Sequence, residues 1–208
     1  MKKDFSKLLQ GYQRFRNKYV HGSKSVMKQL ADDGQKPEIM IVACSDSRVD
    51  PALILQCEPG DLFVVRNVAN IVPPYEKDKG HHGVSAALEF GVNVLGVKHL
   101  IIFGHSQCGG IQTLMHGDDK GSDFLHNWLA IIDMKNSNKS GSGYTRKDIN
   151  VATKLALQQS YEHCIQFPWI AKKIEEKSLE VHLWFFDLFK GKIFAYDRVM
   201  KKYRVLYA

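Results

Sequence analysis

Three short apolar runs constrain the fold of this chain more than any other feature of its sequence. They cover residues 39–43, 62–65 and 99–103, and each follows a turn or an amphipathic stretch. Apolar runs of this length are typical of strands buried on both faces, as in parallel sheets. Residues 84–97, before the third run, carry apolar side chains at helical spacing. This strand–helix–strand order predicts an α/β fold with a mainly parallel central β-sheet flanked by helices.

Further helical and strand patterns surround these runs. Apolar residues within 4–30 repeat at helical spacing with an interruption at His21–Gly22, which predicts two N-terminal helices or one broken helix. The later predictions are helices at 123–134, 149–165 and 169–177, a polar loop at 135–143, and strands at 179–187, 192–196 and 204–207. A turn at Lys190–Gly191 predicts a hairpin between the first two of these strands, and hence an antiparallel C-terminal edge.

The size and composition of the chain indicate one globular unit. Its 208 residues are 44% hydrophobic, which is enough to bury a substantial core. We therefore expect a single domain over residues 1–208, with a helical arm at 1–34 and an α/β core at 35–208.

The charge and the cysteine content limit the partners and the location. The formal charge is +7, but the basic residues are scattered and form no aromatic-interleaved motif, so we expect no nucleic-acid partner. The polar N-terminus does not resemble a secretory signal, and no apolar run approaches the ~18 residues of a membrane span. These features predict a cytoplasmic protein with no membrane partner. In that reducing compartment the cysteines are metal ligands, catalytic thiols or buried residues rather than disulfides.

Potential metal ligands follow the first and third apolar runs. Cys44, Asp46 and Arg48 are spaced two apart, so an extended chain would direct them to one side. His105 and Cys108 lie three apart at a predicted strand-to-helix turn. Ligands of parallel sheets collect beyond the carboxyl ends of the strands. We therefore expect Cys44, His105 and Cys108, called here the Cys–His–Cys triad, to bind one zinc ion per chain, since zinc accepts thiolate and imidazole in a tetrahedral set.

The fourth zinc position decides what such a site does. A water molecule there would suit catalysis, because zinc lowers the pKa of bound water to about 7 and supplies hydroxide for hydrolysis or hydration. Arg48 can form a bidentate pair with Asp46, which would make Asp46 an exchangeable fourth ligand. A structural zinc site with four protein ligands is one rival interpretation, and a redox or nucleophilic Cys44 is another. Structural sites use paired cysteine knuckles, whereas Cys44 stands alone.

The other candidate residues receive no role in the site. Cys57 and Cys164 have no comparable neighbours and are predicted to be core or surface thiols. The histidines left unassigned are His81, His82 and His116.

Three segments, CSDSR at 44–48, RNVAN at 66–70 and GHSQCGG at 104–110, together resemble the β-class carbonic anhydrases. The resemblance is dense over residues 35–115 and looser as far as the C-terminal strands. It implies a zinc enzyme that reversibly hydrates carbon dioxide to bicarbonate and a proton, and that assembles as a homodimer or a higher multiple of dimers. By the family pattern the Cys–His–Cys triad binds zinc, while Asp46 either binds as the fourth ligand or pairs with Arg48 to orient hydroxide.

The resemblance also implies a substrate pocket. Gln35 and the backbone of Gly109 match groups that hydrogen-bond substrate oxygens. The matching apolar walls are Phe63, Val68 and Phe90. Ile41 stands where bicarbonate-regulated members carry tryptophan, so we expect the open, plant-like arrangement. At Phe90 many plant-type members have tyrosine, so a hydroxyl is absent from the pocket edge.

Two other functions remain open at this stage. Carbon disulfide hydrolases resemble the same family and share its zinc ligands. A structural zinc protein that binds nucleic acid through the basic surface is the second alternative, but it would leave Asp46 and Arg48 without a purpose.

Overall fold

A six-stranded β-sheet forms the centre of the protein. The computed structural model describes residues 5–22, 25–134 and 143–206. The strands are β1 (Ile39–Cys44), β2 (Leu62–Asn67), β3 (His99–His105), β4 (Glu180–Asp187), β5 (Lys192–Asp197) and β6 (Lys202–Val205). Their order is β2-β1-β3-β4-β5-β6, with the first four parallel and the β4–β5 and β5–β6 pairs antiparallel. The α/β fold with a mainly parallel sheet and an antiparallel C-terminal edge is thus confirmed.

Helices flank this sheet. Over the described ranges the α-helices are α1 (Phe5–Tyr19), α2 (Val26–Asp33), α3 (Pro51–Leu55), α4 (Gly83–Glu89), α5 (Gly109–His116), α6 (Leu125–Leu129), α7 (Arg146–Cys164) and α8 (Pro168–Glu175). A 3-10 turn at Val68–Asn70 follows β2, and a π-helical turn at Phe90–Val94 follows α4. The N-terminal pattern therefore forms two helices, and α1 buries none of its residues within the chain.

Several predicted boundaries are wrong. The helix predicted at 123–134 is only the five-residue α6, because Phe124 is outside helical geometry and Ile132 N–H bonds back three residues to Leu129 O. Helix α7 begins three residues early because Thr145 and Asp148 form a capping box. The last strand lies at Lys202–Val205 instead of 204–207, and Tyr207 falls outside the described residues. The predicted loop also falls outside them, except for Gly143.

The parallel register brings three strand ends to one edge of the sheet. Strand β1 lies between β2 and β3, with Cys44 opposite Asn67 and Ala43 opposite Phe103. The residues that follow β1, β2 and β3 therefore leave the sheet side by side. This edge, called here the carboxyl edge, is where ligand sites of parallel sheets are found.

The contact between β3 and α7 supports this edge and gives a stability prediction. A Cβ on the buried Gly104 would lie 3.0 Å from both Cγ and Cδ1 of Leu157, which is 0% exposed. We expect Gly104→Ala to destabilise the fold by about 1–3 kcal/mol through overpacking, lowering the thermal midpoint by several degrees. Gly83→Ala is the control, because its Cβ would meet nothing within 4 Å. Equal midpoints for both variants in thermal unfolding followed by circular dichroism would contradict this packing argument.

Among the described residues, no helix combines the length and the apolar character needed to cross a bilayer.

Candidate metal centre

The Cys–His–Cys triad assembles at the carboxyl edge of the sheet. Cys44 is the last residue of β1, His105 is the last residue of β3, and Cys108 immediately precedes α5. Between the latter two, Gln107 adopts a positive φ of 56°, which turns the chain tightly enough to return Cys108 to the strand ends. All three ligand residues are buried, with exposures of 4%, 1% and 0%. Residues far apart in the sequence thus form one closed cluster.

The arrangement of donor atoms fits a zinc ion. The ligand atoms of the triad lie within 4.8 Å of one another, and the two sulfurs are 3.9 Å apart. A tetrahedral zinc with Zn–S bonds of ~2.3 Å would separate two sulfurs by about 3.8 Å. His105 Nδ1 lies 3.0 Å from the carbonyl of Ser106, to which it can donate, while its buried Nε2 has no hydrogen-bond partner. A metal ion would satisfy that nitrogen, which otherwise carries the cost of an unpaired buried polar atom.

The two thiols are poised to supply negative charge. A hydrogen bond from the Cys108 thiol lowers the pKa of Cys44 to about 4. The same contact, together with burial, raises the pKa of Cys108 well above its usual range. The contact between the two sulfurs thus favours the thiolate form of Cys44 and the protonated form of Cys108. A cation at this position would favour the second thiolate as well, because metal binding displaces the thiol proton.

Asp46 and Arg48 lie beside the triad as a bidentate pair. Arg48 donates from Nε to Asp46 Oδ1 at 2.9 Å and from Nη2 to Oδ2 at 2.6 Å, and its backbone N–H also donates to Oδ1 at 2.9 Å. Chiefly through the side-chain bonds, Arg48 lowers the pKa of Asp46 to about 2. Asp46 Oδ2 is 3.9 Å from His105 Nε2. The carboxylate is therefore ionised, adjacent to the metal position and held by the arginine.

Two residues that received no role in the sequence analysis stabilise the segment 44–50, which carries Cys44, Asp46 and Arg48. Arg66 donates to the carbonyls of Cys44 at 3.0 Å and Asp46 at 2.8 Å, and also pairs with Asp50 at 2.7 Å. Gln107 accepts a bond from Arg48 Nη2 at 3.0 Å through its carbonyl. Arg66 lies in the segment RNVAN and Gln107 in GHSQCGG, so the resemblance to the family was the sequence feature that could have pointed to both residues. Three of these four hydrogen bonds have a backbone carbonyl as the acceptor, however, and a sequence pattern does not reveal such contacts.

The predicted substrate-binding residues lie in two separate regions of the folded chain. Val68 and Gly109 are at the carboxyl edge, next to the ends of β2 and β3. Gln35 precedes β1, and Phe63 pairs with Met40 four residues before Cys44, about 13 Å along the strand. Phe63 and Phe90 are in contact, with ring centroids 5.7 Å apart. Within one chain, therefore, Gln35, Phe63 and Phe90 are not brought together with the triad.

The remaining cysteines and histidines lie outside the triad. Cys164 is fully buried in the core, and this burial raises its pKa to about 12, while Cys57 is half-buried. His82 pairs with Asp78 at 2.6 Å. The ring of His116 packs on that of Tyr144, and His81 lines an apolar cleft of about 730 Å³ that also contains Val68.

The fold and this site define an α/β protein with a buried set of two cysteines and one histidine that could hold a metal ion. The carbonic anhydrase family model matches residues 39–193. Beta carbonic anhydrase 5, chloroplastic, of Arabidopsis thaliana is 42% identical over 160 residues, which are 74% of this chain but only 52% of that protein. The matched region thus spans about half the length of that relative.

Solved structures agree with this family. That of the β-carbonic anhydrase CcaA is 31% identical, with a TM-score of 0.84 over 96% of this chain and 98% of that one. One of two tetrameric β-carbonic anhydrases from Sordaria macrospora is 30% identical, with a TM-score of 0.78 over 92% and 95%. The chain belongs to the β-class carbonic anhydrases, whose named members are carbonate dehydratases of the lyase class.

Proposed function

We propose that this protein binds one zinc ion per chain and reversibly hydrates carbon dioxide to bicarbonate and a proton. The observation that carries the proposal is the buried triad with its unpaired His105 Nε2, next to a carboxylate fixed 3.9 Å away. A zinc ion held by the triad would supply a hydroxide nucleophile near neutral pH. Family membership supports the same chemistry.

The chain's own residues would divide the remaining work. Arg48 holds Asp46 ionised and fixed in orientation, so Asp46 can accept a hydrogen bond from the attacking group and keep its lone pair directed at carbon dioxide. The closed setting of the triad limits bulk water, which strengthens these electrostatic contacts. The backbone N–H of Gly109 would donate to a substrate oxygen, and Val68 would supply an apolar wall. A small apolar wall suits an uncharged substrate such as carbon dioxide.

A homodimer or a multiple of dimers forms part of the proposal. Gln35, Phe63 and Phe90 belong to the proposed pocket but lie toward the other end of β1 from the triad. A second copy of the chain would be needed to bring them to the site. Tetrameric structures among the relatives support such an assembly. The single domain over residues 1–208 and the cytoplasmic location also remain predictions, since one relative is named as chloroplastic.

The test is stopped-flow hydration of carbon dioxide by purified protein of measured zinc content. We expect about one zinc per chain in the triad and rapid hydration from pH 7 to 9. Full zinc loading with no measurable hydration in this range would refute the enzyme proposal. The same protein is assayed with carbon disulfide, and turnover of carbon disulfide alone would favour the hydrolase alternative.

A further inference from the structure

A second group of potential metal ligands lies at the opposite end of β3. It consists of His99, Glu180 and His182, called here the His–Glu–His cluster. His99 and Glu180 are direct partners in the parallel β3–β4 register, and His182 lies two residues further along β4. Residues two apart on a strand share a face of the sheet. Two adjacent strands thus present three metal-binding side chains on one face, about 20 Å along β3 from the triad.

The three ligand atoms of this cluster form a compact triangle. His99 Nδ1 and His182 Nε2 are 3.1 Å apart, and Glu180 Oε2 lies 3.9 Å from the first and 3.8 Å from the second. A single point about 2.1 Å from all three atoms exists for a triangle of these sides. That length matches the bonds of zinc to imidazole nitrogen and carboxylate oxygen, which are ~2.0–2.2 Å. The side chains therefore need little rearrangement to bind one ion.

The chemistry and exposure of the cluster suit an exchangeable surface ion. Two imidazoles and one carboxylate are a ligand set that zinc uses in sites with an open position. The side chains of His99 and Glu180 are 43% and 61% exposed, so an ion can enter and water can complete its coordination. His182 is less exposed, at 26%, and burial lowers its pKa, which favours the neutral ring that metal binding requires.

We propose that His99, Glu180 and His182 bind a divalent transition-metal ion of the zinc class, separately from the triad. The hydrogen bond between the two rings does not account for the third group, because Glu180 lies within 4 Å of both ring nitrogens. A bound ion would use all three side chains at once and would link β3 to β4 where these strands begin. The chain would therefore bind a second zinc ion in addition to the one ion of the proposed catalytic centre.

The test counts zinc per chain after equilibrium dialysis of the full protein against micromolar zinc. We expect wild type to bind one zinc more per chain than His182→Ala, and Glu180→Gln to bind this extra ion less tightly than wild type. His126→Ala is the matched control, since it removes an imidazole that contacts the carboxylate of Asp119 at 2.8 Å in a pair that belongs to no three-ligand group among the described residues. Equal zinc counts in wild type, His182→Ala and Glu180→Gln would overturn the proposal.

Cobalt substitution separates this site from the triad. Cobalt in the triad should show thiolate-to-metal charge-transfer absorption, whereas cobalt in the His–Glu–His cluster should not, because that cluster contains no sulfur. We expect the extra equivalent to bind without charge-transfer absorption in wild type and to be absent in His182→Ala. An extra equivalent that adds this absorption would contradict the assignment. The comparison does not depend on hydration activity, so failure of the proposed function would leave it interpretable.

Discussion

Cys108→Ser is expected to abolish zinc binding at the triad and, with it, carbon dioxide hydration. The serine hydroxyl does not ionise near neutral pH and is a poor zinc ligand, whereas the Cys108 thiolate completes the triad. Cys108 is 0% exposed, so the position of its sulfur is not open to bulk solvent. With no metal to supply the nucleophile, we expect hydration to fall by at least about a thousandfold. Metal analysis and stopped-flow hydration on the same sample measure the two effects together.

Cys57→Ser is the matched control for this substitution. Cys57 is half-buried, and its sulfur contacts the carbonyl of Leu55 at 3.8 Å rather than another thiol. This variant should keep its zinc and its activity. A Cys108→Ser protein that folds, binds as much zinc per chain as wild type and hydrates carbon dioxide at the wild-type rate would show that the triad is not the catalytic centre.

The triad could be predicted from the sequence because local patterns and a general rule of parallel sheets combine there. Apolar runs ending at Cys44 and before His105 predicted buried strands, and parallel strands deliver their ends to one edge. The spacing to Cys108 then required only one turn. The Asp46–Arg48 pair is equally local, since two residues separate its members.

Other features depend on contacts between distant segments and had no local signature. His99 and His182 are 83 residues apart, and they meet only through the β3–β4 register. A one-residue change in that register would send one ring to the other face of the sheet. The short length of α6 likewise follows from backbone bonding after Leu129, although the apolar pattern continues. Propensity and periodicity do not report either kind of contact.

Arg48→Ala is expected to reduce hydration by about 100-fold while zinc remains bound. The three ligand residues are untouched, so the metal content should stay near that of wild type. Asp46, however, would lose both side-chain bonds that hold it, at 2.9 and 2.6 Å. Its carboxylate, whose Oδ2 lies 3.9 Å from His105 Nε2, would then be free to turn toward the metal position. Arg48→Lys should hydrate carbon dioxide little faster than Arg48→Ala, because lysine keeps the charge but cannot form two parallel hydrogen bonds to a carboxylate. Stopped-flow hydration at matched zinc content measures the effect.

A double variant distinguishes a shared role from two independent ones. If Arg48 acts by holding Asp46, the double variant Asp46→Asn, Arg48→Ala should lower the hydration rate no further than the more damaging single substitution does. The effects of two groups that act as one unit are not additive. Arg204→Ala is the control, because Arg204 forms an exposed ion pair with Asp197 at 3.5 Å, and such pairs contribute little. If the fold-loss of hydration rate in the double variant equals the product of the two single losses, Arg48 serves the reaction independently of Asp46. The orientation of the carboxylate would then depend on another contact. The nearest candidate is the hydrogen bond from Arg66 to the backbone carbonyl of Asp46.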